Sequence, residues 1–320
     1  MPAAPQHVTV SLRPERRVAV MPVQKAVRHA APEVLAYPHV LYSAHHTTAG
    51  FLDAETRTQI GANAEAVHRF LKPYRVLFPY GAGYQHDQMH LRTELRPEQR
   101  RCEPRNADAH LVYMGAGLVS CTHTTPEERL SLIDLDGVNH ETEHHRTRRV
   151  TAVGFSEATP VDAFTIPVPA PQQPVGTTSL RDPRLGLMAQ IQAALTEHAV
   201  SYGCVRLALT GPPAGAALVV NEYEPQLMQH DLTRVLRAPH AFSTAACVPA
   251  GAEQTSASEV APPPVHTPED LRLSAALRLM VRPPAPPAGS RIVQGRYQSP
   301  ILLHWTARPR TVQATVMRYT

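Results

Sequence analysis

Apolar and polar residues alternate over Val8 to Leu12 and Val18 to Val23, around a turn at Arg13-Pro14-Glu15, and this period of two predicts a strand pair. A short helix is expected from about Lys25 to Ala30, ending before Pro32. Val40 to Ala44 reads as a buried strand running into His45-His46. Thr56 to Leu71 places Ile60, Ala64, Val67 and Leu71 on one helical face, and Pro73 is expected to end that helix. Tyr80 to His90 is a loop. Asn106 is a suitable N-cap for a helix over Ala107 to Met114, with Gly115 as its stop. Leu118 to His123, Leu130 to Leu135 and Arg148 to Phe155 then read as strands.

A similar order returns. Phe164 to Val168 opens it as a strand. Pro183 to His198 reads as a helix with Leu187, Ile191, Ala194 and Leu195 inward. Val205 to Leu209 is a buried strand, Tyr223 to Leu236 a long helix, and Thr267-Pro268-Glu269-Asp270 a helix start with cap, proline and acids in place. Val312 to Met317 closes the chain as a strand. Gly251 to Val265 and Pro283 to Gly289 read as surface loops.

The repetition has a near-constant offset. Arg129-Leu130-Ser131 aligns with Arg291-Ile292-Val293, His110-Leu111 with Arg272-Leu273, and Arg148-Arg149-Val150 with Arg310-Thr311-Val312, all at 162 positions. Upstream the offset is 167, with Ala54-Glu55 on Asn221-Glu222 and Val40 to Ala44 on Leu207 to Gly211. Repeats of this length indicate duplicated domains rather than a solenoid. The expected architecture is α+β and largely antiparallel, in two tandem copies over residues 1–157 and 158–320, with the boundary near Ser156 to Pro160.

Composition changes this picture little. The chain of 320 residues is 43% hydrophobic, ample for two cores, and its formal net charge of +4 comes without any like-charged block. The scarcity of basic runs and of aromatics argues against a nucleic-acid partner. No apolar run approaches a membrane span, and the N-terminus lacks the basic and apolar regions of a signal peptide. The four cysteines, Cys102, Cys121, Cys204 and Cys247, are scattered as in a reduced, cytoplasmic protein. No Walker loop, dinucleotide fingerprint or nucleophile elbow is present.

Three histidines on three elements stand out: His46 at a strand end, His86 in Gly83-Tyr84-Gln85-His86-Asp87, and His110 one turn into a helix. Three imidazoles suffice for a zinc-type site with an open position, with Asp87 as the expected partner of a ligating ring. Any one of 18 histidines is more often an ordinary hydrogen-bonded residue. His140-Glu141-Thr142-Glu143-His144-His145 imitates a metal cluster but sits in a polar turn, and Thr122-His123-Thr124-Thr125 imitates the His46 segment at a strand end.

The blocks His46-Thr47-Thr48-Ala49-Gly50, Gly83-Tyr84-Gln85-His86-Asp87 and Asn106-Ala107-Asp108-Ala109-His110, in this order and spacing, resemble the motif series of the YjbQ-like family, small proteins also described as secondary thiamine-phosphate synthases. The resemblance covers the first half nearly end to end. Where the family has Asn-Glu, this half has Ala54-Glu55. Where the family has Leu-Gly-Thr-Trp-Gln-Gly, it has Leu132 to Gly137. The second half keeps Asn221-Glu222 and Gly295-Arg296-Tyr297-Gln298, but has Pro213 and Arg272 in the places of His46 and His110.

Two readings stand open. In one, a composite site forms where the halves meet, with His46, His86, His110, Glu55 and Gln298 as catalytic residues. Thr47, Thr48, Asn106, Asn221, Glu222 and Tyr297 would bind substrate. In the other, the second half is a degenerate scaffold. The resemblance implies a thiamine-phosphate synthase-like transferase acting on a small phosphorylated substrate, with a divalent metal such as zinc on His46, His86 and His110, and homotrimers; Arg105 and Arg296 are candidates for the leaving pyrophosphate on position alone. The alternative is a non-catalytic metal- or ligand-binding protein.

Overall fold

The computed structural model describes residues 4–61, 63–211, 215–238, 267–283 and 291–320. Pro213, the loop 251–265 and most of the loop from Pro283 to Gly289 lie outside the described residues. The fold is α+β and its sheets are antiparallel.

The first half contains strands β1 (Gln6–Leu12), β2 (Ala19–Pro22), β3 (His39–Ala44), β4 (Ala49–Gly50), β5 (Cys121–Thr124), β6 (Ser131–Asp134) and β7 (Arg148–Phe155). Its helices are α1 (Val23–Ala30), α2 (Ala54–Ile60), α3 (Ala64–Leu77), α4 (Pro97–Cys102) and α5 (Ala107–Gly115). The second half contains β8 (Ala158–Val168), β9 (Gly176–Ser179), β10 (Gly203–Thr210), β11 (Ala216–Glu222), β12 (Ala276–Arg282), β13 (Arg291–Ile292), β14 (Gln298–His304) and β15 (Arg310–Tyr319). It also has α6 (Leu187–Glu197), a π-turn over Gln226–Asp231, and α7 (Leu232–Arg237).

Both halves follow one strand plan. The first has sheets ordered β1-β7-β3-β5 and β2-β6-β4, and the second β8-β15-β10-β12-β13 and β9-β14-β11. With β8 matched to β1, the orders agree strand for strand, and β13 is an added edge. The offset, however, changes between elements. Ala44 faces Val150 as Leu209 faces Val312, giving 165 for β3 and β10 and 162 for β7 and β15. Phe51 pairs with Val119 as Leu218 meets Ser274, giving 167 and 155. Asp134 pairs with Ala49 and Ala19 as His304 pairs with Ala216 and Gly176, so β6 corresponds to β14 at 170.

This register corrects two sequence alignments. Ser131 belongs with Ile301 rather than Val293, and Leu132 to Gly137 does not occupy the place of Gly295 to Gln298, whose last position falls at Glu128 instead. Alternating strands match one another at any even shift, so a single offset conceals insertions in the loops between them.

Several helices also differ from expectation. The helix expected over Thr56 to Leu71 is broken at Gly61, which has φ 76°, and α3 starts afresh under an Asn63 cap on the Ala66 N–H (2.8 Å). Pro73 lies inside α3 rather than ending it, and the turn beyond is held by burial of Tyr74, Leu77 and Phe78. The helix from Pro183 begins as a 3-10 turn, and Gly186 at φ 68° separates it from α6. The capped segment at Thr267 makes only a three-residue 3-10 turn, Pro268–Asp270. Leu271 is then extended, because the Arg272 N–H is taken by the Gly115 carbonyl at 2.9 Å. Arg272 is therefore not a helical counterpart of His110. It lies against Gly117, where a Cβ would meet the Arg272 carbonyl at 2.3 Å.

The halves share their cores. Helix α5 is buried on every side, as a helix central to a core must be. Around it, Leu71, Tyr113 and Met114 pack with Leu227, Met228, Leu236 and Ile301 of the second half. Leu41, Cys121, Val153 and Phe155 on one large sheet face Cys204, Met280, Met317 and Tyr319 on the other, with Phe155 and Tyr319 stacked at 3.7 Å. These shared cores bring the ends of β4, β11 and α5 together.

Candidate functional site

The site begins where α5 starts. Asn106 does not cap the helix. Asp87 Oδ1 accepts the Ala107 N–H at 3.0 Å instead, which frees the Asn106 side chain. Asp87 is thus a helix-start acceptor rather than a partner of His86, and burial pushes its carboxyl up to about 6 despite that bond. Asn106 Nδ2 donates to Asp136 at 2.8 Å, and its Oδ1 meets His86 Nε2 at 3.2 Å. A carboxylate accepts only, so this fixes the amide orientation and requires a proton on Nε2. His86 Nδ1 donates to Glu224 Oε2 at 2.8 Å.

Each ring nitrogen of His86 therefore faces an acceptor, which favours an imidazolium charge, while the donor Arg92 Nη1, 3.1 Å from Nδ1 and 3.3 Å from Nε2, opposes it. Burial opposes the charge and so does Arg92, but Glu224 and Glu222 outweigh them and hold the His86 pKa above its ordinary value. Burial likewise disfavours the Glu224 carboxylate, yet the bonds from His86 and from the N–H groups of Gln226 and Leu227 hold its pKa low. Asp231 accepts the backbone N–H groups of Gln85 and His86, each at 2.9 Å, and so pins the histidine loop to the π-turn.

His110 is shifted in the opposite direction. Asn221 Nδ2 donates to the Thr47 carbonyl at 3.1 Å, so its Oδ1 faces His110 Nδ1 at 2.7 Å and accepts that ring's proton. Nε2 is left with its lone pair, 3.8 Å from Glu222 Oε2. Burial, and then the charge of His86, hold the His110 pKa well below its ordinary value. The two rings stand 5.2 Å apart, edge to face. Arg92, which is 1% exposed, approaches the His86 ring nitrogens and reaches Glu222 Oε1 at 3.2 Å and Glu224 Oε1 at 3.5 Å.

Glu222 joins this buried group to solvent. Its side chain keeps 15% exposure while those of His86, His110, Arg92 and Glu224 keep 1–2%. Burial raises its pKa against the pull of His86 and Arg92. It lies on the wall of an open cleft of about 610 Å³, together with Arg96, Arg181, Arg296, Tyr223 and Tyr297.

The remaining sequence candidates divide. Thr47 contributes its carbonyl to Asn221, and the Thr48 hydroxyl accepts from Arg148 at 3.2 Å. Gln298 does cross to the His46 segment, but its amide is fully used. Nε2 donates to the carbonyls of Ala44 (2.9 Å) and His46 (2.8 Å), and Oε1 accepts the Gly295 N–H at 2.8 Å. It ties the halves together and has no amide N–H left to donate to a substrate. Tyr297 is 48% exposed on the cleft wall. Glu55 is exposed on α2 and bonds Gln59, away from the histidines. Arg105 pairs at the surface with Glu141, inside the exposed His140 turn.

The donor set does not fit a three-imidazole metal centre. His46 Nε2 accepts the Arg149 N–H at 2.8 Å and its Nδ1 faces Arg148, so burial and Arg148 push its pKa down to about 3. Both nitrogens of His86 are hydrogen-bonded within the protein. Among the described residues, no three His, Cys, Asp or Glu side chains are grouped to hold a metal ion.

Sequence reasoning missed Arg92, Glu224, Asp136, Asp231 and Arg181. Glu224 carried a signal, since it follows Glu222 by two positions just past the strand end. Arg92 and Asp231 carried none, because their partners are distant in sequence.

No family model matches the sequence, and no curated protein matches it. Several solved structures are similar over about half of the chain. A YbjQ-like protein of unknown function from Sulfolobus solfataricus is 15% identical, with 51% of this chain and 99% of that one covered and a TM-score of 0.32. An uncharacterised conserved protein of the yjbq family from Clostridium acetobutylicum is 15% identical, with 45% and 97% covered and a TM-score of 0.30. A conserved hypothetical protein from Thermus thermophilus is 19% identical, with 50% and 100% covered and a TM-score of 0.28. Among the described residues, no helix is long and apolar enough to cross a membrane.

Proposed function

We propose that the chain is a duplicated YjbQ-like protein whose two halves build one composite acid–base site for a small phosphorylated substrate. The observation that carries this reading is the His86–His110 pair of the first half, held by Glu224 and Asn221 of the second half behind Glu222, with the two ring pKa values shifted in opposite directions. Adjacent titratable groups driven apart in this way mark acid and base roles. Glu222 is the catalytic residue that meets substrate in the cleft. His110, His86 and Arg92 are positioning residues that set its charge, and Asn221 and Glu224 fix the two rings. Arg181 and Arg296 face the cleft and supply cations for phosphate oxygens.

In a thiamine-phosphate synthase-type reaction, the thiazole nitrogen displaces pyrophosphate from the pyrimidine methylene carbon. This site offers arginines to the leaving group, and no step here is routed through a metal. The test is turnover of a pyrimidine diphosphate with a thiazole phosphate, alongside a panel of phosphomonoesters. Wild type should turn over one of them, Glu222→Gln should lose at least about tenfold, and Arg181→Gln should raise KM. Absence of turnover with every substrate would remove the enzyme reading.

The saturation of both His86 nitrogens favours a second reading, a non-catalytic binding protein for the same class of ligand. Tight binding without turnover would select it. We propose a cytoplasmic location and a trimer of the two-half chain for either reading, the latter checked by light scattering.

A further inference from the structure

A second cavity, of about 270 Å³, lies on the seam between the halves and is lined by neither His86 nor His110. Its wall from the second half carries Arg206 on β10 and Arg278 on β12. These two arginines are register partners in the antiparallel ladder, so both side chains leave the same face of the sheet side by side. Directly opposed cross-strand partners have Cβ atoms about 4.5–5.5 Å apart, and like charges in that position repel. Neither arginine forms an ion pair among the described residues.

The rest of the wall adds positive charge rather than relieving it. Arg272 lines the same cavity and donates to the Thr56 hydroxyl at 2.8 Å. The acid on the wall is Asp53, and both its oxygens are spent capping α2, on the Thr56 N–H (3.0 Å) and hydroxyl (2.6 Å). Just outside the cavity lining, on the first half beyond Thr122, the His39 and His123 rings stand 5.1 Å apart. Burial, then His39 and Arg278, and more weakly Arg206, hold the His123 pKa below its ordinary value against the opposing pull of Glu128, so both arginines are within electrostatic reach of this ring. His39 Nδ1 is buried without a hydrogen-bond partner. The hydroxyls of Ser120 and Thr122 and the apolar side chains of Leu207 and Leu218 complete the wall.

We infer that this seam cavity is a binding site for a small oxyanion-bearing molecule, gripped by the paired guanidinium groups of Arg206 and Arg278 and bridging the two halves. Guanidinium forks match phosphate and carboxylate oxygens two at a time, and an anion between them turns cross-strand repulsion into attraction. The apolar portion of the wall suits a ligand with a short hydrocarbon body. This site is distinct from the cleft beside Glu222 and does not depend on the function proposed for that cleft.

The test is calorimetric titration and thermal melting of the full chain with inorganic phosphate, butyl phosphate and butyrate, against sodium chloride at matched ionic strength. Wild type, Arg206→Gln, Arg278→Gln and an Arg181→Gln/Arg296→Gln control are compared. Phosphate or butyrate should bind wild type and raise its Tm where chloride does not. Each seam variant should weaken binding at least about tenfold, and the cleft control should retain it. A stronger response to butyl phosphate or to butyrate identifies the headgroup. The seam variants should also melt no lower than wild type in anion-free, low-salt buffer, since each removes a repulsion. Equal responses to all salts, or loss of binding in the cleft control but not in the seam variants, would overturn the inference.

Discussion

His110 and Asn221 belong to different halves of the chain, yet the ring Nδ1 and the amide oxygen meet at 2.7 Å, and the other end of the same amide holds the Thr47 carbonyl at 3.1 Å. One side chain thereby fixes a tautomer and closes the seam. Asn221→Ala should cost about 1–3 kcal/mol of stability, because it leaves a buried ring proton and a carbonyl without partners. Urea denaturation read by fluorescence checks this. A loss near zero would mean that water replaces the amide.

Gln298→Ala should also destabilise by about 1–3 kcal/mol, through three backbone groups left unpaired. A substrate-binding glutamine would give unchanged Tm and weakened binding. Gln298→Glu should be worse than Ala, since a carboxylate offers no donor to the carbonyls of Ala44 and His46. Thermal melts of the two variants decide between these roles.

The pH dependence should carry two opposite signs. His46 is held at about 3 in the folded protein against about 6.5 when unfolded, so its contribution is present above about pH 6.5 and is lost as pH falls toward 3. His110 acts in the same direction. His86 is raised, so its contribution is complete below about 6.5 and is lost as pH rises through its folded pKa. Unfolding free energy should therefore fall on both sides of neutrality. His86→Gln should flatten the alkaline limb and leave the acid limb. A variant with an unchanged alkaline limb would show that His86 is neutral at pH 7.

Much of this fold was legible because buried strands and amphipathic helices announce themselves locally. Arg148–Phe155 falls where expected, and the first helix ends at Ala30 as expected but starts at Val23, two residues before Lys25. The Thr267 segment failed for the converse reason. Its cap is sound, but Leu271 and Arg272 are claimed by backbone pairing with the first half, and local signals cannot register that competition. The site divides similarly. His86, His110, Asn106, Asn221 and Glu222 were visible as motif residues. What each does was not, because the roles are set by Arg92, Glu224, Asp136 and Asp231, whose contacts cross between halves or loops.

Exposure of Glu222 to the cleft makes it the residue to neutralise. Glu222→Gln keeps an oxygen acceptor toward Arg92, whose charge is still paired by Glu224 and Glu94, and removes a carboxylate whose charged form burial disfavours, so the fold should be retained. Turnover or phosphate-ester binding at the cleft should change, with the optimum pH altered. Melting curves and pH profiles measured on one preparation separate this outcome from unfolding.

The most direct test of the composite site is the ring 15N chemical shifts of His86 and His110 at pH 7.5 in wild type, assigned with the single histidine variants. The account predicts a doubly protonated His86 and a neutral His110 carrying its proton on Nδ1, with both states unchanged down to pH 6. Two rings titrating together near the ordinary histidine value, or a His110 proton on Nε2, would contradict it.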